Sequence, residues 1–487
     1  MKHILTKRNT IIIVALLTLV KAYLAATLQL HPDEAYYWLW SRRLDLGYYD
    51  HSPFIAYFIW LTTVFSQAEF WVRLSGIIVS VAISFLCWIL AMQLFGEVAV
   101  AAGSVLLLNL YPLNFTGSII MTPDIPSLFF WALAVYAFWQ VVRTGEARYW
   151  YWTGLLFGLS LLSKYTAVLF APCIFLFVVM TDERRWLKTV HPYLAFLIGM
   201  ACFLPVVYWN YAHDWISFRF QFGHGLGGQT YSLGRVLEFF GGQALVASPF
   251  GWFFGMIATV AYLFSRDRKK LFICLMSLPV FAFFAFSSLK RIAGPNWPAF
   301  AYFTLSIATT KFFLDGLRLR RVLWAFSLAS ALALSLVVIL HASFNFISLH
   351  RYSKDWAVAD ATNWFYGYRE LGRYIIEKHP ETRIIMTQSH QLSAEIIYYT
   401  RDRVFTTTDP KITRASQFNL WQATPELVGA PGLYVYADTD DPGPVREYFR
   451  GTGEPEKLSV MRAGFPLRSY KIIPCAGYLQ SEHILVE

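Results

Sequence analysis

The chain has 487 residues, of which 56% are hydrophobic and only 15% charged, and it carries a formal net charge of +10. So low a charged share excludes an ordinary soluble protein, for which roughly 25% is usual. The basic excess does not indicate nucleic acid binding. Its Lys and Arg fall in short runs between apolar stretches, the positive-inside pattern of a polytopic membrane protein.

Lys2, Lys7 and Arg8 precede a first apolar stretch. It runs to about 20 residues, long for a signal-peptide core, and no small-x-small cleavage site follows before His31. It reads as an uncleaved first span. Apolar segments at 11–30, 71–94, 98–114, 126–142, 149–163, 166–181, 190–209, 244–264, 271–288, 297–314 and 322–341 predict eleven transmembrane helices. With a cytoplasmic N-terminus, the clusters Arg143/Arg148, Arg184/Arg185/Lys188, Arg266/Arg268/Lys269/Lys270 and Lys311/Arg318/Arg320/Arg321 all fall on one side. Asp33, Glu34, Asp50, His51, Asp124, Lys164, His224, Arg235, Lys290 and Arg291 then face the other. Residues 31–70 predict aromatic-rich helices in the interface plane, and 210–243 a glycine-rich loop able to cover a site. Residues 1–341 form the membrane domain. Residues 342–487 are polar, with strand-like runs at 383–387 and 432–436 and a helix-like run at 392–399, and predict an α/β domain outside the membrane. The five cysteines show neither a disulfide framework nor metal-ligand spacing.

Candidate site residues gather on the outer side. Asp33 and Glu34 follow His31-Pro32. They suit a helix start, with Pro at the first position and acids complementing the dipole. They equally suit a general base. Adjacent helical side chains diverge by about 100°, so one of them faces a given substrate atom; Asp33 is the choice, with Glu34 orienting or capping. Asp50-His51, in Gly47-Tyr48-Tyr49-Asp50-His51-Ser52-Pro53, reads either as a turn before a helix or as an acid beside an imidazole that binds phosphate when protonated. Thr122-Pro123-Asp124 reads as an N-cap, a Pro at the first helical position and a first-turn acid. As three acids on one face, Asp33, Asp50 and Asp124 are also candidates to surround one cleft and hold a polar substrate or a divalent cation. Lys164, placed against the positive-inside bias, either snorkels or binds an anion such as a lipid-linked phosphate. Lys290-Arg291, before Gly294-Pro295-Asn296-Trp297-Pro298, has the same two readings. Acids for a base, cations for a phosphate and a wide aromatic rim fit a sugar carried on a polyprenyl phosphate. Nucleotide sugars fit less well, because no glycine-rich phosphate loop lies on the cytoplasmic side.

The four motifs at 31–38, 47–53, 122–126 and 163–165 resemble the bacterial membrane glycosyltransferases of the GT-C superfamily. Within it they are most similar to the dolichyl-phosphate-mannose protein mannosyltransferase-like branch, which includes the lipid A aminoarabinose transferases. The resemblance covers roughly residues 1–300. It implies inverting transfer from a polyprenyl-phosphate sugar to a cell-envelope acceptor, lipid A or another envelope glycan, at the outer face of the bacterial inner membrane. It implies Asp33 as the catalytic acid of the first loop. Lipid A transferases of this type carry an acid and a phosphate-binding lysine where this chain has Asp50 and His51, so His51, Lys164, Lys290 and Arg291 share the donor phosphate. Tyr36, Tyr37, Tyr48 and Tyr49 then pack on sugar or acceptor beside Asp50 and Asp124. Some members use a divalent cation and others do not. Three other readings are a protein O-glycosyltransferase, a transporter of lipid-linked sugar, and a binding or sensor protein whose outer α/β domain is the functional part; transport is disfavoured by spans largely free of charge except at Lys21.

Overall fold

A computed structural model describes residues 5–226, 230–349, 352, 360–409, 414–421, 425–441 and 443–479. Gly227, Gly228 and the side chain of His224 lie outside the described residues. The chain forms two compact units, each of discontinuous sequence. The first joins Met1–Ala26 to Asp45–Val337, and the second joins Thr27–Leu44 to Val338–Glu487.

The first unit is helical. Among the described residues six helices are long and apolar enough to cross a bilayer: α1 (Lys7–Thr27), α4 (Glu69–Phe95), α7 (Asp124–Thr144), α10 (His191–Ala212), Arg268–Ser288 and α17 (Arg318–Phe344). The segment Arg268–Ser288 comprises α14 (Arg268–Leu275) and α15 (Leu278–Ser288), and the last turns of α17 cluster with the second unit. Two bent pairs bring the count to eight. One is Tyr165–Met180 with Asp182–Lys188; the other is α12 (Leu233–Ala247) with α13 (Pro249–Leu263), bent by 109°. The expected eleven is therefore not what helix length supports. The segments at 98–114 and 149–163 give α5 (Val98–Leu110) and α8 (Arg148–Leu161), of 13 and 14 residues, against about 20 needed to span. Pro112 starts the short α6 (Pro112–Gly117) at its first position, where its missing N–H costs nothing. The bend between α12 and α13 sits at Ser248, whose φ is 67° and whose hydroxyl accepts the Gly251 N–H at 3.1 Å.

Residues 210–243 are not a loop. Most of them form α11 (Ile216–Leu226) and the start of α12. Thr122 is not an N-cap either: α7 starts at Asp124 after Pro123, and Thr122 Oγ1 contacts Asp124 Oδ2 at 3.4 Å. Aromatic packing fills the interior around Trp131, whose ring lies 4.3 Å from Phe300 and 4.9 Å from Phe170. Helices α8 and α10 meet through small residues. A Cβ on Gly154 would lie 2.1 Å from the Ala195 carbonyl, and one on Gly158 would lie 2.7 Å from the Gly199 carbonyl. Such close approach is how helices gain packing where lipid supplies no hydrophobic drive.

The second unit carries a six-stranded sheet of order β2-β1-β3-β6-β4, with β5 also pairing β6. Strand β1 (Ile384–Thr387) lies parallel to β2 (Phe405–Thr408) and β3 (Gly432–Ala437). The long β6 (Phe465–Tyr478) runs antiparallel to β3, to β4 (Phe449–Thr452) and to β5 (Glu456–Arg462). Alternation along the strands sends Tyr434, Tyr436 and Ile473 to one face. Leu433, Val435 and Ile472 go to the other, where they pack with Leu371 of α18 (Tyr368–Lys378) and Ile396 of α19 (His390–Tyr399). Helix α2 (Pro32–Arg42) belongs to this unit. Its Trp38 meets Tyr398 edge-on at 4.9 Å, and its Tyr36 lies 4.9 Å from His390 and 5.9 Å from Phe418. The preceding residues join the same domain: Gln29 Oε1 accepts the backbone N–H groups of Tyr368 and Arg369, and the Tyr399 hydroxyl accepts that of Leu30. Helix α3 (Phe54–Thr63), the other helix expected in 31–70, belongs to the first unit.

Candidate active site

The residues singled out by sequence divide between the two units. Tyr48, Tyr49, Asp50, His51, Asp124, Lys164, Lys290 and Arg291 lie in the first, and Asp33, Glu34, Tyr36 and Tyr37 in the second.

In the first unit, Lys164 does not snorkel. It occupies an extended position between α8 and the 3-10 turn Tyr165–Leu169. Its Nζ pairs with Asp124 Oδ1 at 2.6 Å, and the two side chains are only 9% and 15% exposed. Asn296 Nδ2 donates to the other carboxylate oxygen at 2.9 Å. Asp124 thus holds a lysine and an amide with its two oxygens, and one of the three Lys164 donors is spent on it. The loop bearing Asn296 is itself fixed by α12: Gln243 Nε2 donates to the Pro295 carbonyl at 3.0 Å, and Arg235 Nη1 donates to the Lys290 carbonyl at 2.7 Å. Lys290 Nζ lies over the Tyr231 ring at 5.6 Å. Arg291 is half-buried in the same loop.

The Gly47–Pro53 turn is tied down along its length. Tyr48 is fully buried, and its hydroxyl accepts the Asp45 N–H at 3.0 Å. Burial pushes its phenol well above the usual tyrosine range. Asp45 also accepts from Trp209 Nε1 at 3.0 Å and, through its carbonyl, from the Tyr57 hydroxyl at 2.8 Å. Gly47 lies against the Trp209 ring, which a Cβ would approach to 2.8 Å. Tyr49 packs on Phe220 at 5.3 Å, and the Gln221 side-chain amide donates to the carbonyl of the buried Asp50. Ser52 Oγ donates to the Leu161 carbonyl at 2.9 Å, which anchors the turn after His51 to the end of α8, three residues before Lys164.

In the second unit, His31 caps α2. Its Nδ1 accepts the Asp33 N–H at 3.2 Å, while Glu34 Oε2 accepts the His31 N–H at 2.9 Å. This is a reciprocal capping box with a histidine in place of the usual serine or threonine. The His31 ring stacks on Trp364 at 5.1 Å. Glu34 is fully buried in this role, whereas the Asp33 side chain is 38% exposed and accepts from Gln391 Nε2 at 3.0 Å. Tyr36 and Tyr37 are buried, and the Tyr36 hydroxyl accepts the Gln417 N–H at 2.7 Å. Among the described residues no group of three or more His, Cys, Asp or Glu side chains is placed to hold a metal ion.

Sequence reasoning missed Asn296 and Gln391, the amide partners of Asp124 and Asp33. Asn296 stood inside a recognised Gly-Pro-Asn-Trp-Pro run, but an amide gives no signal of its own. Gln391 lies 358 residues from Asp33 in sequence, and nothing in the chain pairs the two.

Residues 50–209, which include Asp50, His51, Asp124 and Lys164, match the family described as dolichyl-phosphate-mannose-protein mannosyltransferase. The lipid A galacturonosyltransferase RgtD of Rhizobium johnstonii is 30% identical over 280 residues, covering 55% of this chain and 58% of that protein. The match thus spans little more than half of that relative. ArnT from Cupriavidus metallidurans bound to undecaprenyl phosphate superposes with a TM-score of 0.67 at 15% identity, over 95% of this chain and 97% of that one. Its apo form gives 0.65 at 16% identity with the same coverage. The archaeal oligosaccharyltransferase AglB from Archaeoglobus fulgidus gives 0.50 at 12% identity, over 98% of this chain and 74% of that one. The fold is that of the ArnT structures, a unit of membrane-crossing helices with a β-sheet domain. Residues 50–209 are thus similar to the dolichyl-phosphate-mannose-protein mannosyltransferase family, the resemblance that the sequence motifs also carry.

Proposed function

We propose that the protein transfers a sugar, with inversion, from a polyprenyl-phosphate donor to a lipid A or related envelope glycan at the outer face of a bacterial inner membrane. The observation that carries this reading is the buried Lys164–Asp124–Asn296 cluster in the region matching the mannosyltransferase family. A desolvated lysine with two donors unspent on Asp124 suits a phosphate better than it suits a helix contact. The relatives support the same chemistry, one being a lipid A sugar transferase and another a structure holding undecaprenyl phosphate.

In this mechanism the acceptor hydroxyl attacks the anomeric carbon in line, the bond to the phosphate oxygen breaks, and polyprenyl phosphate leaves. Asp33 takes the acceptor proton, being the exposed acid of α2, with Gln391 fixing one carboxylate oxygen. Glu34 serves as the cap that sets its direction. Lys164, aided by Lys290, Arg291 and a protonated His51, stabilises the departing phosphate. Tyr49 and Asp50 contribute to the donor side. Tyr36, Tyr37 and Tyr48 support the site through packing, since their rings are buried.

The test uses full-length protein in lipid nanodiscs with undecaprenyl-phosphate galacturonic acid, aminoarabinose and hexoses, offered with lipid A, core glycolipid or a Ser/Thr peptide. Mass spectrometry should show a glycosylated lipid A-type product that Asp33→Asn reduces by at least about 100-fold. Product on the peptide alone would make the protein an O-glycosyltransferase. Donor crossing the bilayer without product, equally in both proteins, would make it a transporter.

A further inference from the structure

The second unit holds a cavity of about 520 Å³ at the end of the sheet where β6 begins, lined among others by Asn345, Trp364, Asp438, Thr439, Arg462 and Arg468. Its size lies within the roughly 300–1,000 Å³ of small-molecule sites. The charges in it are unevenly spent. Arg462 is consumed by the protein, donating to the His341 and Ala342 carbonyls, to Thr362 and to Asn363. Asp360, also in the lining, is answered by His341 at 3.0 Å and by Arg462 at 3.7 Å. Asp438 is answered by Lys457 at 2.6 Å and Lys471 at 3.3 Å, and hydrogen bonds to both lysines hold its carboxyl below the usual range. Arg468 differs. It donates to the Asn363 carbonyl at 3.1 Å and stacks on Tyr368 at 4.7 Å, and it has no ion-pair partner among the described residues. Beside it, Trp364 keeps 37% of its surface exposed, with His31 stacked on one face.

We propose that this cavity binds a phosphorylated saccharide, with a sugar ring against Trp364 and the phosphate on Arg468. A guanidinium with no ion pair of its own, held in place by the Asn363 carbonyl and the Tyr368 and Tyr470 rings, suits a phosphate, and an exposed indole beside amide and hydroxyl groups suits a sugar. The further assignment of this cavity as the subsite for the acceptor glycan rests on the proposed transfer; the binding itself does not. A phosphorylated sugar could reach it from the acceptor or from the donor headgroup, and the experiment separates the two.

Calorimetry on the full-length protein in nanodiscs would use a deacylated glucosamine disaccharide bisphosphate, the same disaccharide without phosphate, and undecaprenyl phosphate. Wild type should bind the bisphosphate, and loss of the phosphates should weaken it at least about tenfold. Arg468→Gln should weaken it similarly. Thr439→Trp, at an exposed turn and away from the Arg468 contacts, should block the cavity while leaving the unfolding temperature unchanged. Undecaprenyl phosphate should bind all three proteins alike, and Asp33→Asn should bind the bisphosphate like wild type. No binding of the bisphosphate, or equal binding by wild type and Thr439→Trp, overturns the proposal. Loss of undecaprenyl-phosphate binding in the cavity variants overturns the acceptor assignment in favour of the donor. If no protein transfers sugar yet both cavity variants lose the bisphosphate, the transferase reading fails and the site stands.

Discussion

At the scale of single residues, Lys164 and Asp124 form the nearly buried ion pair of the first unit's candidate site. A nearly buried ion pair gains little net stability over an apolar replacement, but removing one member strands the other. Lys164→Met and Asp124→Asn should each lower stability by about 3 kcal/mol or more, read as the unfolding midpoint in detergent. The double variant should recover much of that loss, because the coupling is local. Transfer activity should stay lost in all three. A double variant with wild-type activity would show the pair to be structural. Sequence flagged both residues separately, each with a bland alternative: Asp124 is indeed a first-turn acid of α7, though Thr122 does not cap that helix, and Lys164 points to a carboxylate rather than to water.

At the scale of elements, the contact between α8 and α10 is made by backbone approaching backbone. Gly154 and Gly158 face Ala195 and Gly199, an arrangement no larger side chain permits. Gly154→Leu should destabilise the membrane unit by about 1–3 kcal/mol or more, measured by thermal unfolding, whereas Gly223→Leu, where a Cβ meets nothing within 4 Å, should be near neutral. The same scale explains a partial reading of the first loop. Pro32 at the start of α2 and a helix after Pro53 were legible from the sequence, because proline at those positions has a local steric cause. The partners of Tyr36, Trp38 and Trp40 were not. An aromatic run beside arginines reads the same whatever it packs on, and only the fold shows its contacts with His390, Tyr398 and Phe418, more than 350 residues away.

At the scale of the whole molecule, the second unit is completed by a segment from the other end of the chain. Residues 338–487 expressed alone would lack Tyr36, Trp38 and Trp40, together with the bonds that Gln29 makes to Tyr368, Arg369 and Glu370. Such a fragment should unfold without cooperativity, and fusing residues 27–44 to it should restore a sharp thermal transition, seen by circular dichroism. A fragment folding equally well without them would show that α2 adds nothing to that domain.

The class, a polytopic helical protein with an α/β domain, is legible along the chain, since hydropathy, basic-cluster placement and strand alternation are local properties that one chain displays. So are Asp33, Asp124 and Lys164, because charge at a helix start or against the topological bias is visible without a structure. Tertiary structure alone decided that helix breaks at Pro112 and Ser248 leave fewer full-length spans than apolar segments. It alone gave Asp124 the amide of Asn296 and Asp33 that of Gln391, and it assigned residues 27–44 to the C-terminal domain. Each of these depends on which distant residues meet, and a pattern of side chains along one chain does not carry that information.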